Sequence, residues 1–426
     1  MQVFKFGGAS VKDADSVCNV GKIIEQFGSD GSLLVVISAM GKMTNAFEAL
    51  LNTLWKSENY MSEWGRIRKY HLDIIYELFE EEQNAIEAEE ILLALFNELE
   101  SVFMSIEHNK NYDELYDKII GYGELLSTRL VAYHLMQSGL DVVWIDARKV
   151  IVTDSSWRSA NVDWDATQKR VGEELLNYLE SGKIIITQGF IGANAEMSPT
   201  TLGREGSDYS AAIFANLLNA KKITIWKDVQ GVLNTDPKIF PEAQLFAYLS
   251  YQEAAEMSYH GASVIHPKTI KPLQEKNIPL YVRSFLDTQK SGTCIDNTVS
   301  RKIIPSISFR RGMYLMMLES KSFGFLETQK ILEILKGVFS DEVLFVHFNR
   351  MGLSIASEEK FSLSDDLLEQ INFLGFELKE LNDLLMIYVK NPDSNIEQVI
   401  RKRWRILSSQ TDKYRMYFLA EPEEII

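Results

Sequence analysis

Thiols are nearly absent from this chain. Its 426 residues hold two cysteines, Cys18 and Cys294, with neither metal-ligand spacing nor the makings of a disulfide framework, which fits a reducing compartment and leads to the expectation of a cytoplasmic protein. Positive charge is in deficit: 44 Lys and Arg against 60 Asp and Glu leave a net charge of −16, which argues against non-specific binding to nucleic acid or to an anionic membrane. Long apolar runs are missing as well. The longest strongly apolar stretch, residues 33–40, is far too short to span a bilayer, and Met1 leads straight into a strand and a glycine turn rather than a signal peptide. Neither G-x-x-x-x-G-K nor G-x-G-x-x-G is present, so the phosphate loops of the P-loop and Rossmann folds are excluded. What remains is an acidic chain of ordinary globular composition, 46% hydrophobic and long enough for two or three domains.

The most informative stretch is 183–226. A strand-like run at 184–187 closes at Gly189, and a polar loop leads to Gly203-Arg204-Glu205-Gly206-Ser207-Asp208. A helical run follows at 209–218, then a second strand at 223–226. That order is a βαβ crossover, and its middle offers glycine amides, a guanidinium, a hydroxyl and a carboxylate at a helix N-terminus, a place suited to anions. Ser207 and Asp208 are also good helix caps, which is the plainer reading.

Around it the chain reads as α/β. A first strand at 2–6 carries Lys5 directly before Gly7 and Gly8; glycines let a backbone approach phosphate closely, and a lysine neutralises it. A helix spans 17–27. The strand at 33–37 is apolar throughout, as in a buried parallel sheet, and runs into a loop carrying Ser38 and Thr44. Residues 46–109 read as helical, with the acidic cluster from Glu80 to Glu90 as a solvated face. Glu124 opens another helix, where it either favours the dipole or holds an ammonium group. Strands are expected at 142–145 and 150–153, a helix at 163–179, turn chemistry at 234–238, helices at 251–259 and 262–276, and a strand at 280–283. Near Ser300 the pattern changes to short strands (314–318, 343–348, 353–355, 384–389, 414–419) alternating with single helices (324–338, 363–374 and from 396), which sets domains at 1–300 and 301–426.

These segments carry a resemblance. KFGGAS at 5–10, SAMGKMTN at 38–45, GELLST at 123–128, GFIGAN at 189–194, TTLGREGSDYSAA at 200–212, WKDVQGV with NTDPK at 226–238, and GASVIHP at 261–267 follow the order found in aspartate kinases. These form a branch of the amino-acid-kinase superfamily with C-terminal ACT-type modules. The resemblance implies a three-layer, mainly parallel sheet followed by a smaller α+β ACT-like regulatory section, recognisable in the Ser322-to-Leu326 helix start, with the second module abbreviated. It implies transfer of the γ-phosphoryl of ATP, with Mg2+, to the β-carboxylate of L-aspartate. Lys5 and Asp208 would be catalytic, Ser38, Thr44, Glu124, Phe190, Arg204 and Ser207 substrate-binding, and Gly7, Gly8, Lys227, Asp228, Leu233, Lys238 and Ser263 nucleotide-binding. No metal ligand is directly assignable. A homodimer through the ACT section is implied too, and the abbreviated second module leads to the expectation of weak or absent inhibition by lysine. A carboxylate is already a nucleophile, so the lack of a Ser/His/Asp pattern is no objection.

The chain departs from the family pattern at Ala9 (usually Thr), Glu205 (Gly), Lys227 (Thr), Leu233 (Tyr), Lys238 (Arg) and Ser263 (Lys). These changes bear on nucleotide affinity, with Lys227 or Lys268 as replacement charges. The competing readings are another amino-acid kinase, or a pseudokinase whose ACT section binds an amino acid.

Overall fold

The uninterrupted apolar runs become the middle of an eight-stranded sheet. In chain order the strands of the N-terminal part are β1 (Gln2–Phe6), β2 (Leu33–Ile37), β3 (Val142–Trp144), β4 (Ile184–Gln188), β5 (Ile191–Ala193), β6 (Pro199–Thr201), β7 (Lys222–Lys227), β8 (Tyr248–Ser250), β9 (Leu280–Ser284) and β10 (Thr293–Asp296). The sheet order is β3-β4-β2-β1-β7-β9-β10-β8, parallel except where β9 meets β10, while β5 and β6 form a separate hairpin. The computed structural model describes residues 1–28, 31–106, 111–262, 265–298, 304–320, 335, 343–349, 352–361 and 363–422.

Successive side chains on a strand point to opposite faces. On one face Phe4, Phe6, Val35, Ile37, Ile186 and Trp226 pack with the helices between Ala14 and Gln137 in one large core. Phe6 and Trp226 stack there with rings 6.1 Å apart. The other face, carrying Val3 and Lys5 of β1, is covered by the helix Gly206–Leu217. This is the three-layer arrangement expected from β1 and β2 being apolar on both sides.

Several boundaries differ from the sequence reading. Residues 46–106 form three helices, Met43–Trp55, Met61–Leu78 and Glu82–Met104. The stretch 150–153 is not a strand: Val152 and Thr153 make only isolated bridges, and the Val152 N–H goes to the Thr167 hydroxyl instead of a strand neighbour. The helix expected at 163–179 breaks at Leu175 into Trp164–Glu174 and Leu176–Glu180, and the second of the later helices starts only at Pro267. The polar loop after β4 contains the β5–β6 hairpin, and β8 and β10 are three- and four-residue strands too short to leave a pattern.

By chain contacts the protein divides into Met1–Val232, Leu245–Ala255 and Val264–Ser300 on one side, and Leu233–Gln244, Glu256–Ser263 and Arg301–Ile426 on the other. The second unit holds a six-stranded antiparallel sheet of β11 (Ser306–Ser320), β12 (Val343–Asn349), β13 (Gly352–Ser357), β14 (Phe376–Lys390), β15 (Ile406–Thr411) and β16 (Arg415–Ala420), in the order β12-β13-β11-β14-β16-β15. β11 and β14 are 15 residues each and pair along their length, with an irregularity between Arg310 and Leu315. One apolar cluster, with Met316, Leu353, Ile355 and Ile371, gathers at the helix Asp365–Phe373; another, with Ile387, Ile400, Trp404 and Phe418, gathers at Ile396–Arg403. Two small α+β modules thus share a pair of long strands. β15 leaves no apolar pattern in the sequence, because Ser408, Ser409 and Gln410 make it a polar edge strand. The helix expected at 324–338 lies outside the described residues, apart from Leu335.

Gly8 is fixed by this packing. A Cβ there would lie 2.7 Å from the carbonyl oxygens of both Ala39 and Gly41, and the Gly8 carbonyl accepts the Gly41 N–H at 3.0 Å. Backbone cannot yield as a side-chain tip can, so Gly8→Ala should cost about 1–3 kcal/mol of stability. Urea denaturation measures it, and an unchanged midpoint would contradict the packing.

Candidate active site

Lys5 is buried because β1 is central and alternation turns its side chain toward the helix Gly206–Leu217. There Asp208, at zero exposure, receives it: Lys5 Nζ lies 2.6 Å from Asp208 Oδ1. Lys227, at the end of the adjacent strand β7, lies 3.3 Å from Oδ2. Burial pushes the Asp208 carboxyl up, but the two ammonium groups outweigh it and hold the carboxyl below its ordinary range.

The helix bearing Asp208 does not begin as the capping reading expects. It starts at Gly206, and its cap position is Glu205, which donates no side-chain cap. Ser207 and Asp208 lie inside the first turn, leaving backbone N–H groups free for an anion. Glu205 sits at φ 55, in the left-handed region that glycine takes without strain. The tight approach of Gly206 to Phe190 and of Gly189 to Ser207 locks this turn onto the end of β4, and the Phe190 N–H donates to Ser210 Oγ at 2.9 Å.

A cavity of about 430 Å³ opens at this point. It is lined by Lys5, Ser38, Thr44, Glu124, Phe190, Arg204, Ser207 and Asp208, residues that five separate segments bring together. Ser38 follows β2, its N–H donating to Phe6 O at 3.1 Å, and Thr44 lies in the first turn of Met43–Trp55. Glu124, in the first turn of the helix Tyr122–Gln137, is 2% exposed. Its Oε1 accepts the Ala39 N–H at 3.3 Å, while Oε2 is buried with no hydrogen-bond partner among the described residues. Burial raises this carboxyl to about 8. An unpartnered buried carboxyl facing a cavity is a receptor for a cation, whose charge favours the ionised form that burial disfavours.

The residues read as nucleotide-binding fall elsewhere. Gly7 and Gly8 follow β1, where a Cβ at Gly7 would lie 3.4 Å from the Lys5 ammonium, and Lys227 ends the neighbouring β7 with Asp228 just beyond it. Leu233 and Lys238 belong to the second unit, and Ser263 lies outside the described residues. Lys268 donates to Ser159 Oγ at 3.3 Å. The cavity also includes Tyr116 and Arg158, which sequence reasoning missed. Tyr116 reads as one aromatic of an amphipathic helix, and Arg158 sits in a serine-rich loop without a motif.

Fold and cleft together define an α/β protein with a cavity lined by charged residues at the carboxyl edge of its central strands. The chain belongs to the amino acid kinase family, whose pattern matches residues 1–284. Within it, the chain is 34% identical over 320 residues to the lysine-sensitive aspartokinase 3 of Escherichia coli, covering 75% of this chain and 69% of that protein. It is 35% identical over 302 residues to a chloroplastic bifunctional aspartokinase/homoserine dehydrogenase of Arabidopsis thaliana. That match takes in 69% of this chain, which spans about a third (32%) of the plant relative's length. Among solved structures, E. coli aspartokinase III in complex with aspartate and ADP, in its R-state, superposes with a TM-score of 0.79 and 26% identity, over 99% of this chain and 96% of that one.

The Glu124 carboxyl has a pH signature. Unfolded, it titrates near its ordinary value of about 4.3; folded, at about 8. Between the two the folded state holds the extra proton, so the group's contribution to stability is complete below the first value and is lost as pH rises through the second. Glu124→Gln removes this titration. The stability of wild type relative to Glu124→Gln should fall by on the order of 1 kcal/mol per pH unit from pH 5 to pH 8. Parallel Tm profiles over that range would contradict a buried, protonated Glu124.

Proposed function

We propose that the chain transfers the γ-phosphoryl group of ATP to the β-carboxylate of L-aspartate, giving 4-phospho-L-aspartate and ADP, the step that opens the aspartate-derived route to lysine, threonine and methionine. The observation that carries this reading is a single cavity holding a buried Lys5–Asp208 pair beside an unpartnered Glu124 carboxylate oxygen and the Arg204 guanidinium. The aspartate and ADP bound by the similar E. coli enzyme support it.

A β-carboxylate oxygen attacks the γ-phosphorus, the bond to the β–γ bridging oxygen breaks, and ADP leaves with that electron pair; no proton moves. Nucleophile and phosphoryl group are both anionic, so the protein's task is to offset repulsion and hold them in line. Lys5 places positive charge on the transferring group, Gly7 and Gly8 add amides, and Asp208 fixes the lysine in place. Glu124 takes the substrate ammonium, Arg204 its α-carboxylate, and Ser38, Thr44 and Ser207 donate hydrogen bonds, with Phe190 as an apolar wall. Lys227, at the end of β7, and Asp228, just beyond it, face the nucleotide.

No three His, Cys, Asp or Glu gather to hold a metal ion among the described residues, and Asp208 is occupied by two ammonium groups. Magnesium is taken to enter as part of the substrate Mg·ATP, where it neutralises phosphate charge. No helix of the described residues is long and apolar enough to cross a membrane, and we place the activity in the cytoplasm.

Hydroxylamine trapping of the acyl phosphate, together with ADP release on L-aspartate, tests the reaction. Lys5→Ala should lower kcat by about 10²-fold or more with a smaller change in the KM for aspartate, and Asp208→Asn should act in the same sense. Near-wild-type turnover in Lys5→Ala contradicts the assignment.

The section from 301 to 426 is proposed as an ACT-like regulatory domain through which two copies pair. Effector control requires two states that the effector binds with different affinity, and a pocket in place before it arrives. The second module is covered by one helix among the described residues, Ile396–Arg403. Lysine inhibition is therefore expected to be weak or absent. Light scattering gives the oligomeric state, and separate titrations of lysine and threonine against the forward reaction measure control; strong inhibition by submillimolar lysine overturns the expectation.

A further inference from the structure

The cavity is lined by a second arginine for which the reaction above has no task. Arg158 lines it along with Arg204, and its position is set at a cost. Its backbone is left-handed, φ 65, a conformation unfavourable for a residue with a Cβ. The Asp117 carboxylate holds it there: both oxygens accept the Arg158 N–H, at 3.1 and 3.0 Å. The same carboxylate accepts the Thr201 N–H at 2.9 Å and the Thr201 hydroxyl at 2.6 Å. Asp117 is fully buried, and burial lifts its carboxyl to about 6 in spite of these bonds. A fold does not need an acid there for its own sake, since burying a carboxylate costs more than burying an apolar side chain of its size.

The bound segment abuts the other arginine. A Cβ on Gly203, the residue before Arg204, would lie 3.1 Å from the Arg158 carbonyl oxygen. The Arg158 guanidinium is carried 4.3 Å from the centre of the Tyr116 ring, which also lines the cavity. Its acidic neighbours, Asp113 at 3.3 Å and Glu48 at 3.9 Å, are half exposed, and ion pairs of that kind hold a side chain weakly. The backbone is fixed and the guanidinium rests on an aromatic face, so the group remains able to take an anion.

We propose that Arg158 is a specificity-determining residue which, with Arg204, grips the substrate carboxylate that is not phosphorylated, and that Asp117 is the positioning residue that sets Arg158 in place. The inference rests on the aspartate-kinase reading. Two guanidinium groups on one carboxylate distinguish a free carboxylate from its amide more sharply than one, because the neutral amide leaves both cations without a counter-charge.

The test measures kcat and KM by ADP release, on the purified full chain, for L-aspartate and for its α-amide, which keeps the β-carboxylate. Wild type should strongly prefer aspartate. Arg158→Ala, a change at an exposed side chain, should raise the KM for aspartate about 10-fold, move kcat only a few-fold, and narrow the preference over the α-amide. Arg158→Lys should recover part of the KM but not the preference, since an ammonium lacks the planar fork. Asp117→Asn should reproduce the KM rise in the wild-type background and add nothing in the Arg158→Ala background, with folding checked by thermal melting. A further KM rise in that double variant overturns the positioning role of Asp117. If wild type phosphorylates aspartate and Arg158→Ala leaves both KM and preference unchanged, the role of Arg158 is wrong and the reaction stands. If wild type does not turn over aspartate, the reaction is wrong and this inference goes with it.

Discussion

Asp208 sits at zero exposure between the ammonium groups of Lys5 and Lys227, and the placement of the site follows from that contact. A buried carboxylate is tolerated only when paired, and a buried lysine likewise, so each fixes the other. The pairing demands that β1 and β7 be neighbours in parallel register, with Phe6 opposite Trp226 and Lys227 one residue beyond. It demands also that the helix Gly206–Leu217 begin directly over them. The stacked rings of Phe6 and Trp226 on the opposite face of the sheet hold that register from below. Removing one member leaves the others as uncompensated buried charge, which is why such a cluster is rigid.

Around this fixed point the polypeptide is strained. Phe190, Glu205 and Arg158 are all non-glycine residues at positive φ, at 72, 55 and 65 degrees, and all three line the cavity. Such conformations persist only where the surroundings over-determine them, and they collect at functional sites. Here the surroundings can be named: Ser210 and Leu202 bond the backbone of Phe190, Gly206 leaves room for its ring, and the Asp117 carboxylate holds the Arg158 amide. Such preorganisation gives the cavity wall a fixed shape before any ligand arrives.

The second unit solves a different problem. Each small α+β module is too slight to stand on a short sheet of its own. β11 and β14 run through both modules, with the irregularity near Arg310–Leu315 marking where one apolar cluster gives way to the other. Pairing of the two long strands on both sides of that irregularity joins the modules into one sheet.

The division between what is local and what is not runs through the site itself. Sequence alone determined that β1, β2, β4 and β7 are buried strands, because apolar runs of that length admit no other solvent-free arrangement in a parallel sheet. The resemblance assigned Lys5, the glycines after it, Glu124 and the Arg204-to-Asp208 turn to one reaction, and Lys5, Glu124 and that turn do line one cavity. The sequence did not reveal that Ser207 and Asp208 lie inside the helix with Glu205 at the cap, since the side chains that make good caps also serve in a first turn. It could not reach Tyr116, Asp117 or Arg158. Thr201 and Asp117 are 84 positions apart, and Arg158 and Asp117 are 41 apart. The proton affinity of Glu124 was likewise beyond it. Propensity and periodicity act over a few residues, whereas burial, and the convergence of distant segments on one carboxylate, exist only once the tertiary packing has excluded water.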